Sequence, residues 1–357
     1  MSTTPRPDGT LPALDGVRAL AIVAVVAFHF APGAVPGGWM GMSIFFPLSG
    51  FLVTRMLLRD REVSGRVRLG RFWERRARRL LPALFVMLAV TSALVVARDG
   101  WSTDDTDAVL SAVFYVNNWW QLAQSVDYWA AFNGTASPFE HLWSLSVEEQ
   151  FYLLWPPVIA LVVWRAGRPM RAIGAAAVTI ALLGAVWGLW LGAAGRTMTA
   201  IYYHTGVRAG ELLAGAALAV AHHARPGWFR PSTVLQVVAG MVLAIDLGLW
   251  LRLDARADDL VAHGGMFLVG LGTCVVIAAS ITGGSVGEAL SMPVVVWLGT
   301  RCYGLYLWHW PVAVFVDERS TGLDGVALGF LRVALTLAAT VLSWWWVETP
   351  WRRRRER

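Results

Sequence analysis

The sequence predicts an all-α polytopic membrane protein, a transmembrane helical bundle of ten spans with both termini in the cytoplasm. Three observations predict it. Of 357 residues 56% are hydrophobic, and mean hydropathy is +0.53. Only 15% are charged, against about 25% in a soluble domain. Apolar runs cover nearly the whole chain, leaving no room for a soluble domain of about 100 residues.

A span needs about twenty mostly apolar residues. Ten runs qualify: Leu14–Ala31, Met40–Leu58, Leu81–Ala97, Trp143–Trp164, Ala172–Ala194, Tyr203–Ala221, Thr233–Leu251, Leu260–Ile281, Pro293–Val316 and Gly325–Val347. The first contains Arg18 and lacks a small-residue cleavage site, so it reads as a span rather than a signal peptide. Thr106–Ala123 is moderately apolar but holds Asn117 and Asn118 between acidic flanks, and loop charge decides its status. Ten Arg lie between Arg55 and Arg79; the loop at Arg165–Arg171, the loop at Arg225 and Arg230 and the tail Arg352–Arg357 are also basic. Ten spans put all four on the cytoplasmic side, as the positive-inside rule requires. An eleventh would expel the basic tail, so Thr106–Glu140 is expected to be one external excursion. Asp60–Arg79 reads as an amphipathic helix on the inner membrane surface.

All thirty basic residues are Arg, which suits a chain from a high-GC bacterium, and the formal charge is +6. The Arg gather in short inter-helix segments, a topology pattern rather than a nucleic-acid footprint. Cys274 and Cys302 lie inside apolar runs, outside any metal-ligand spacing, and read as packing residues. No metal site and no tightly bound cofactor is expected.

An ionisable group inside a span is costly and marks a functional candidate. Arg18 and His29 are eleven residues apart, about three helical turns, so they share a face about 16 Å apart along the axis. His141 and Glu148 likewise share a face, with Glu149 beside them. His309 stands between Trp308 and Trp310 before Pro311. Arg208 and Glu211, at i and i+3, are expected to form an internal ion pair.

Two mechanisms fit an interior set of His, Glu and Arg. One is group transfer, in which a histidine takes the proton of an acceptor hydroxyl during attack on an activated acyl donor. The other is proton-coupled transport or export of a small or lipid-linked molecule. Acyl transfer from acyl-CoA would use a basic inner mouth, because Arg binds phosphates bidentately. Arg18 and Arg71, Arg75, Arg76, Arg78 and Arg79 supply one, although the positive-inside rule accounts for the same cluster without a ligand.

Six strings in order extend the reading: Leu14–Phe30, with Arg18 and His29; Gly41–Thr54; Arg71–Leu84; His141–Pro156; Cys302–Val312; and Val347–Arg352. Together they resemble the integral-membrane acyltransferase family 3, the O-antigen and macrolide O-acyltransferase type. The resemblance implies a single transmembrane acyltransferase domain over residues 1–357 in a bacterial cytoplasmic membrane. It implies transfer of an acyl group, commonly acetyl, from acyl-CoA as co-substrate to a hydroxyl-bearing acceptor: a sugar, a glycan or a secondary metabolite. On this reading His29, Arg18 and Glu148 are catalytic, with His29 as general base. Arg71, Arg75, Arg76 and Arg79 bind the CoA moiety. His141, Glu149, Tyr306 and His309 are substrate-binding. The partners are membrane lipids, acyl-CoA and the acceptor, with no nucleic acid. Some family members carry an appended soluble hydrolase-like domain; the chain stops just after Arg352, so none is expected here. Pro47 departs from the second-span string.

Overall fold

The structure, a computed structural model, describes residues 11–129, 136–253 and 257–353; the expected cytoplasmic termini and the last residues of the basic tail lie outside them. Among the described residues the chain is helical, with no strand. In order the helices are α1 (Pro12–Phe30), α2 (Met42–Ser64), α3 (Leu69–Arg98), α4 (Thr103–Val113), α5 (Asn117–Ala123), α6 (Leu142–Arg165), α7 (Pro169–Ala193), α8 (Met198–Tyr203) and α9 (Thr205–Ala224). There follow α10 (Thr233–Arg252), α11 (Asp258–Ala262), α12 (Gly265–Thr282), α13 (Ser285–Leu290), α14 (Pro293–Thr300), α15 (Cys302–Phe315), α16 (Glu318–Thr321), α17 (Gly325–Ser343) and α18 (Thr349–Arg353).

Seven described segments are long and apolar enough to cross a bilayer: Pro12–Phe30, Gly38–Ser64, Leu69–Arg98, Pro169–Ala193, Thr233–Arg252, Gly265–Thr282 and Gly325–Trp351. This is a multi-pass membrane protein. The other three expected spans are helical but interrupted or diluted. Glu148 and Glu149 lower the hydropathy of α6, and Arg208 and Glu211 that of α9. The expected span Pro293–Val316 breaks at Arg301 into α14 and α15. The expected surface helix over Asp60–Arg79 is not a separate element. Gly65, in the left-handed region at φ 73°, ends α2 there, Arg68 pairs with Asp60 at 2.5 Å across the turn, and the basic run continues into the 30-residue α3.

The described residues form two compact units. The first comprises Met1–Phe28, Pro32–Leu69 and Gln150–Thr300. Its centre is the packing of α2 on α9 and of α9 on α7. The α2–α9 approach depends on two glycines: a side chain at Gly50 would collide with the Leu212 carbonyl, and one at Gly215 with the Pro47 carbonyl. In lipid, such close packing replaces the hydrophobic drive between helices. Pro47 also removes the amide that would bond the Ser43 carbonyl, one turn earlier. Beside it lies the expected Arg208–Glu211 pair, at 2.7 Å and fully buried, with the Ser43 hydroxyl donating to Glu211 at 3.3 Å. Arg208 also donates to the Tyr202 carbonyl at 2.8 Å and stacks over its ring, 4.3 Å from the centroid.

The second unit comprises His29–Ala31, Gly70–Glu149 and Arg301–Arg357. Its apolar core runs along Ala83, Leu84, Met87 and Leu88 of α3, Ala108 and Ala112 of α4, Leu142 and Leu145 of α6, and Leu307 of α15. Thr106–Ala123 does not form one crossing helix. Tyr115, with φ 55°, divides α4 from α5, and neither piece is long enough to span. The polar residues that made this stretch ambiguous point inward. The Asn117 amide group donates to Ser111 at 2.9 Å, and Gln121 donates to the Glu140 carbonyl at 2.7 Å. The Asn117 backbone N–H donates to Ser146 of α6 at 3.2 Å. Leu110, Phe114, Val116 and Trp119 are left exposed on the other side.

Candidate active site

Histidines far apart in the chain converge in the second unit. His29, on the last turn of α1, and His309, in the middle of α15, stack with ring centroids 5.0 Å apart. His29 Nδ1 lies 2.9 Å from His309 Nε2, and His29 Nε2 lies 2.9 Å from the Tyr128 hydroxyl. Trp310 packs edge-on against His29 at 4.6 Å. His29 is 6% exposed and His309 0%.

Backbone chemistry decides where the protons sit. His309 Nδ1 is 2.6 Å from the Tyr306 carbonyl and 3.2 Å from that of Leu305, and carbonyls only accept. Nδ1 of His309 therefore carries the hydrogen. In the neutral ring its Nε2 then accepts, so His29 donates through Nδ1. The remaining nitrogen, His29 Nε2, holds a lone pair and accepts from Tyr128 O–H. A chain of carbonyl, His309, His29 and hydroxyl results, with its basic end at His29 Nε2. A base whose far nitrogen is fixed by a partner is the arrangement that proton abstraction from a hydroxyl requires.

His141 stands just before α6, with its ring 5.7 Å from that of His309 and edge-on to it. It is 2% exposed. Its carbonyl accepts from the Tyr306 hydroxyl, which also lies 2.5 Å from the Ser144 hydroxyl. Tyr306 therefore acts twice: its side chain ties α15 to α6, and its carbonyl sets the His309 tautomer.

The acidic and basic candidates lie elsewhere on these elements. Glu148 and Glu149 follow His141 by seven and eight residues on α6, about 10 to 12 Å further along the axis. Arg76 lies within electrostatic reach of Glu149. On α3, Arg71, Arg75, Arg76 and Arg79 have buried Nε atoms, whereas Arg78 pairs with Glu74 on the exposed side at 2.8 Å. Arg18, one-fifth exposed, is bonded to Asp15 at 2.5 Å in the other unit. Thus the structure brings together His29, His141, Tyr306 and His309. It sets Glu149 against Arg76 and holds Arg18 in a local ion pair. Among the described residues no three His, Cys, Asp or Glu side chains converge as metal ligands.

Sequence reasoning missed Tyr128, the partner of the basic nitrogen. It lies in a segment with no periodicity and no motif, and only the fold brings it 99 positions back to His29. Ser144, one turn from His141 in a string already singled out, was not among the expected site residues.

The comparisons with known proteins cover the same stretch of the chain. The family described as Acyltransferase domain matches residues 11–349, and so includes every residue of the cluster. The chain belongs to this acyltransferase family. Among curated relatives, the peptidoglycan O-acetyltransferase OatA of Listeria monocytogenes is 34% identical over 350 residues, which is 96% of this chain and 56% of that protein. A putative O-acetyltransferase of Staphylococcus aureus strain COL is 31% identical over 352 residues, 96% of this chain and 57% of the relative. The O-acetyltransferase OatA of S. aureus strain NCTC 8325 is 30% identical over 353 residues, again 96% and 57%. The chain therefore spans just over half the length of these relatives. No solved structure matches it.

Proposed function

We propose that this acyltransferase is a membrane O-acyltransferase that moves an acyl group, acetyl in the simplest case, to a hydroxyl of a sugar. The observation that carries the proposal is the His309–His29–Tyr128 chain, which leaves His29 Nε2 as a positioned base facing a hydroxyl. An acceptor hydroxyl taking the place of Tyr128 at that nitrogen would give up its proton as it attacks the acyl carbon. The curated relatives are O-acetyltransferases, one of them named for peptidoglycan, so a cell-wall or surface glycan is the acceptor class we favour over a secondary metabolite.

For the donor we propose acyl-CoA. Arg71, Arg75, Arg76 and Arg79, whose Nε atoms are buried, would hold its phosphates, and its thioester arm would run along α6, where Glu149 and His141 are about 12 Å apart. On this reading Glu148 and Glu149 tune the Arg set. The membrane arrangement that goes with it is ten spans in a bacterial cytoplasmic membrane, with α6, α9 and the α14–α15 pair as the three further crossings and both termini inside.

The test is transfer itself. Cells with and without the gene are compared by mass spectrometry of their glycans, and a mass difference of one acyl group is expected. In purified enzyme, His29→Ala should lower transfer by about 10²–10⁴-fold, the usual contribution of a general base. Acetyl-CoA should raise the thermal stability of the detergent-solubilised protein, less so for Arg76→Ala. A folded His29→Ala enzyme with near-normal transfer would refute the base. Substrate-driven proton movement in vesicles, without any acyl product, would turn the reading to transport.

A further inference from the structure

Three histidines meet in the cluster, and two have both ring nitrogens engaged. His309 donates to the Tyr306 carbonyl and accepts from His29; His29 donates to His309 and accepts from Tyr128. His141 differs. Among the described residues neither of its ring nitrogens has a hydrogen-bond partner, although the residue is 2% exposed. One edge of its ring faces the Leu307 carbonyl without the geometry of a full hydrogen bond. That carbonyl has a reason to be available. Pro311 lies four residues later in α15 and lacks the amide that would bond it. Directed at Leu307, the N–H of His141 leaves the other ring nitrogen with an uncommitted lone pair. The ring is also held in place. The Tyr306 hydroxyl grips the His141 carbonyl, and the edge of the His141 ring meets the His309 ring at 5.7 Å.

From this difference we propose that His141 is a catalytic residue of the transfer, a nucleophile that carries the acyl group between donor and acceptor. This deepens, and rests on, the O-acyltransferase reading above. An imidazole nitrogen that accepts no hydrogen bond has its lone pair available for attack, and nucleophilic catalysis divides one difficult step into two easier ones. In the first step the free nitrogen of His141 attacks the carbonyl of an acyl thioester. The N–C(acyl) bond forms, the C–S bond breaks, and the proton from the other ring nitrogen leaves with the sulfur as the thiol. In the second step the acceptor hydroxyl attacks the acyl-imidazole. The ester C–O bond forms and the N–C(acyl) bond breaks. The hydroxyl proton passes to His29 Nε2 and from there back to the His141 ring. Both steps balance without another reactant. The two histidines divide the chemistry, with His141 holding the acyl group and His29 moving the proton.

The experiment uses the full chain expressed in its membrane, so that the native donor is present. The His29→Ala enzyme retains the first step and lacks the base of the second, so it should accumulate the acyl group. Rapidly quenched protein is digested, and the peptide containing His141 is weighed before and after hydroxylamine, which cleaves acyl-imidazoles. The expected result is one acyl mass on that peptide, lost with hydroxylamine and absent from His29→Ala/His141→Gln. In wild type, initial rates should follow a ping-pong pattern, and His141→Gln should lower transfer by about 10²-fold or more. The proposal is overturned if the acyl mass sits on another side chain such as Tyr128. It is equally overturned if no peptide carries it while folded His141→Gln transfers within about threefold of wild type. If the histidine variants do not fold, quenched wild type loaded with acetyl-CoA in the absence of acceptor decides by the same peptide mass. Failure of the underlying reading looks different: wild-type cells would carry no O-acyl product at all.

Discussion

Replacing His309 tests the orientation of His29 without touching the proposed base itself. In the structure His29 Nδ1–H donates to His309 Nε2 at 2.9 Å inside a site where His309 is fully buried. Changing His309 to Leu removes the acceptor and leaves a buried N–H unmet, which costs about 1–3 kcal/mol. The ring can recover that energy by rotating or by taking the other tautomer, and in either case Nε2 no longer offers its lone pair at the Tyr128 position. If the whole cost falls on the transition state, transfer drops by about 5- to 150-fold, at about 1.36 kcal/mol per tenfold. The loss should appear in kcat, with KM little changed, because the lost contact orients a reacting group rather than binding substrate. His309→Gln is the control: its side-chain oxygen can still accept from His29 Nδ1, so activity should recover in part. The assay is initial-rate acyl transfer in detergent, with thermal unfolding showing that each variant is folded. A folded His309→Leu enzyme within about threefold of wild-type kcat would refute the tautomer argument, as would Gln performing no better than Leu.

Two further predictions concern the scaffold. Glu211→Ala leaves Arg208 as a charge at 0% exposure without its carboxylate, so the first unit should lose about 3–5 kcal/mol. Arg208→Met/Glu211→Leu should lose less than Glu211→Ala alone, and thermal unfolding of the purified variants checks both. Asp317 caps α16: it accepts from the Ser320 amide at 2.7 Å, while Arg98 reaches it at 3.3 Å. That amide hydrogen bond first, and the Arg98 guanidinium after it, hold the Asp317 carboxyl below its ordinary range. The folded value is the lower one, so the cap's stabilisation is present above the ordinary carboxylate range, near about 3.9, and is lost as pH falls through the depressed value. Hydrogen exchange in residues 317–322 should accelerate across that acid window in wild type. In Asp317→Ala it should be fast already at neutral pH, for a cap loss of about 0.5–2 kcal/mol.

Much of the architecture was legible because the bilayer demands so much of the chain. Long apolar runs mark α1, α2, α3, α7, α10, α12 and α17, and the i, i+3 spacing of Arg208 and Glu211 foretold their pair. Hydropathy was less informative where polar chemistry enters a helix. It could not locate the break at Arg301, since Thr300 to Cys302 lies within an otherwise apolar stretch. Nor could it separate the basic run of α3 into inward and outward Arg. Rotation about the helix axis decides that, and only packing sets the rotation. The site was legible in part for a similar reason. His29, His141 and His309 stood out because ionisable groups are rare in spans. Their mutual arrangement was not readable, because His29 and His309 are 280 positions apart. The intra-helical face shared by Arg18 and His29 suggested a joint role, yet Arg18 closes a local pair with Asp15.

What holds the site in order is backbone rather than carboxylate. Soluble enzymes commonly orient a catalytic histidine with an Asp or Glu, and this chain has two glutamates on α6 within a few turns of His141. They are not the partners that set the His309 tautomer. The carbonyls of Leu305 and Tyr306 approach His309, and that of Leu307 faces His141, so three successive carbonyls of α15 serve two rings. A helix interior normally uses all such carbonyls for its own ladder. Pro311 removes one amide from that ladder and thereby releases Leu307. The Trp-His-Trp-Pro string is then one physical device, since the proline that disturbs α15 also supplies the acceptor beside the second histidine. The choice of a neutral orienter follows from the surroundings. A carboxylate among the apolar side chains of this unit would need its own counter-charge to offset desolvation. The carboxylates are instead kept further along α6, where Arg76 lies within electrostatic reach of Glu149. Introducing a carboxylate at the carbonyl end of the chain, as in Tyr306→Glu, should therefore destabilise the enzyme rather than strengthen the base. Thermal unfolding together with kcat distinguishes the two, and a folded, faster Tyr306→Glu enzyme would contradict the argument.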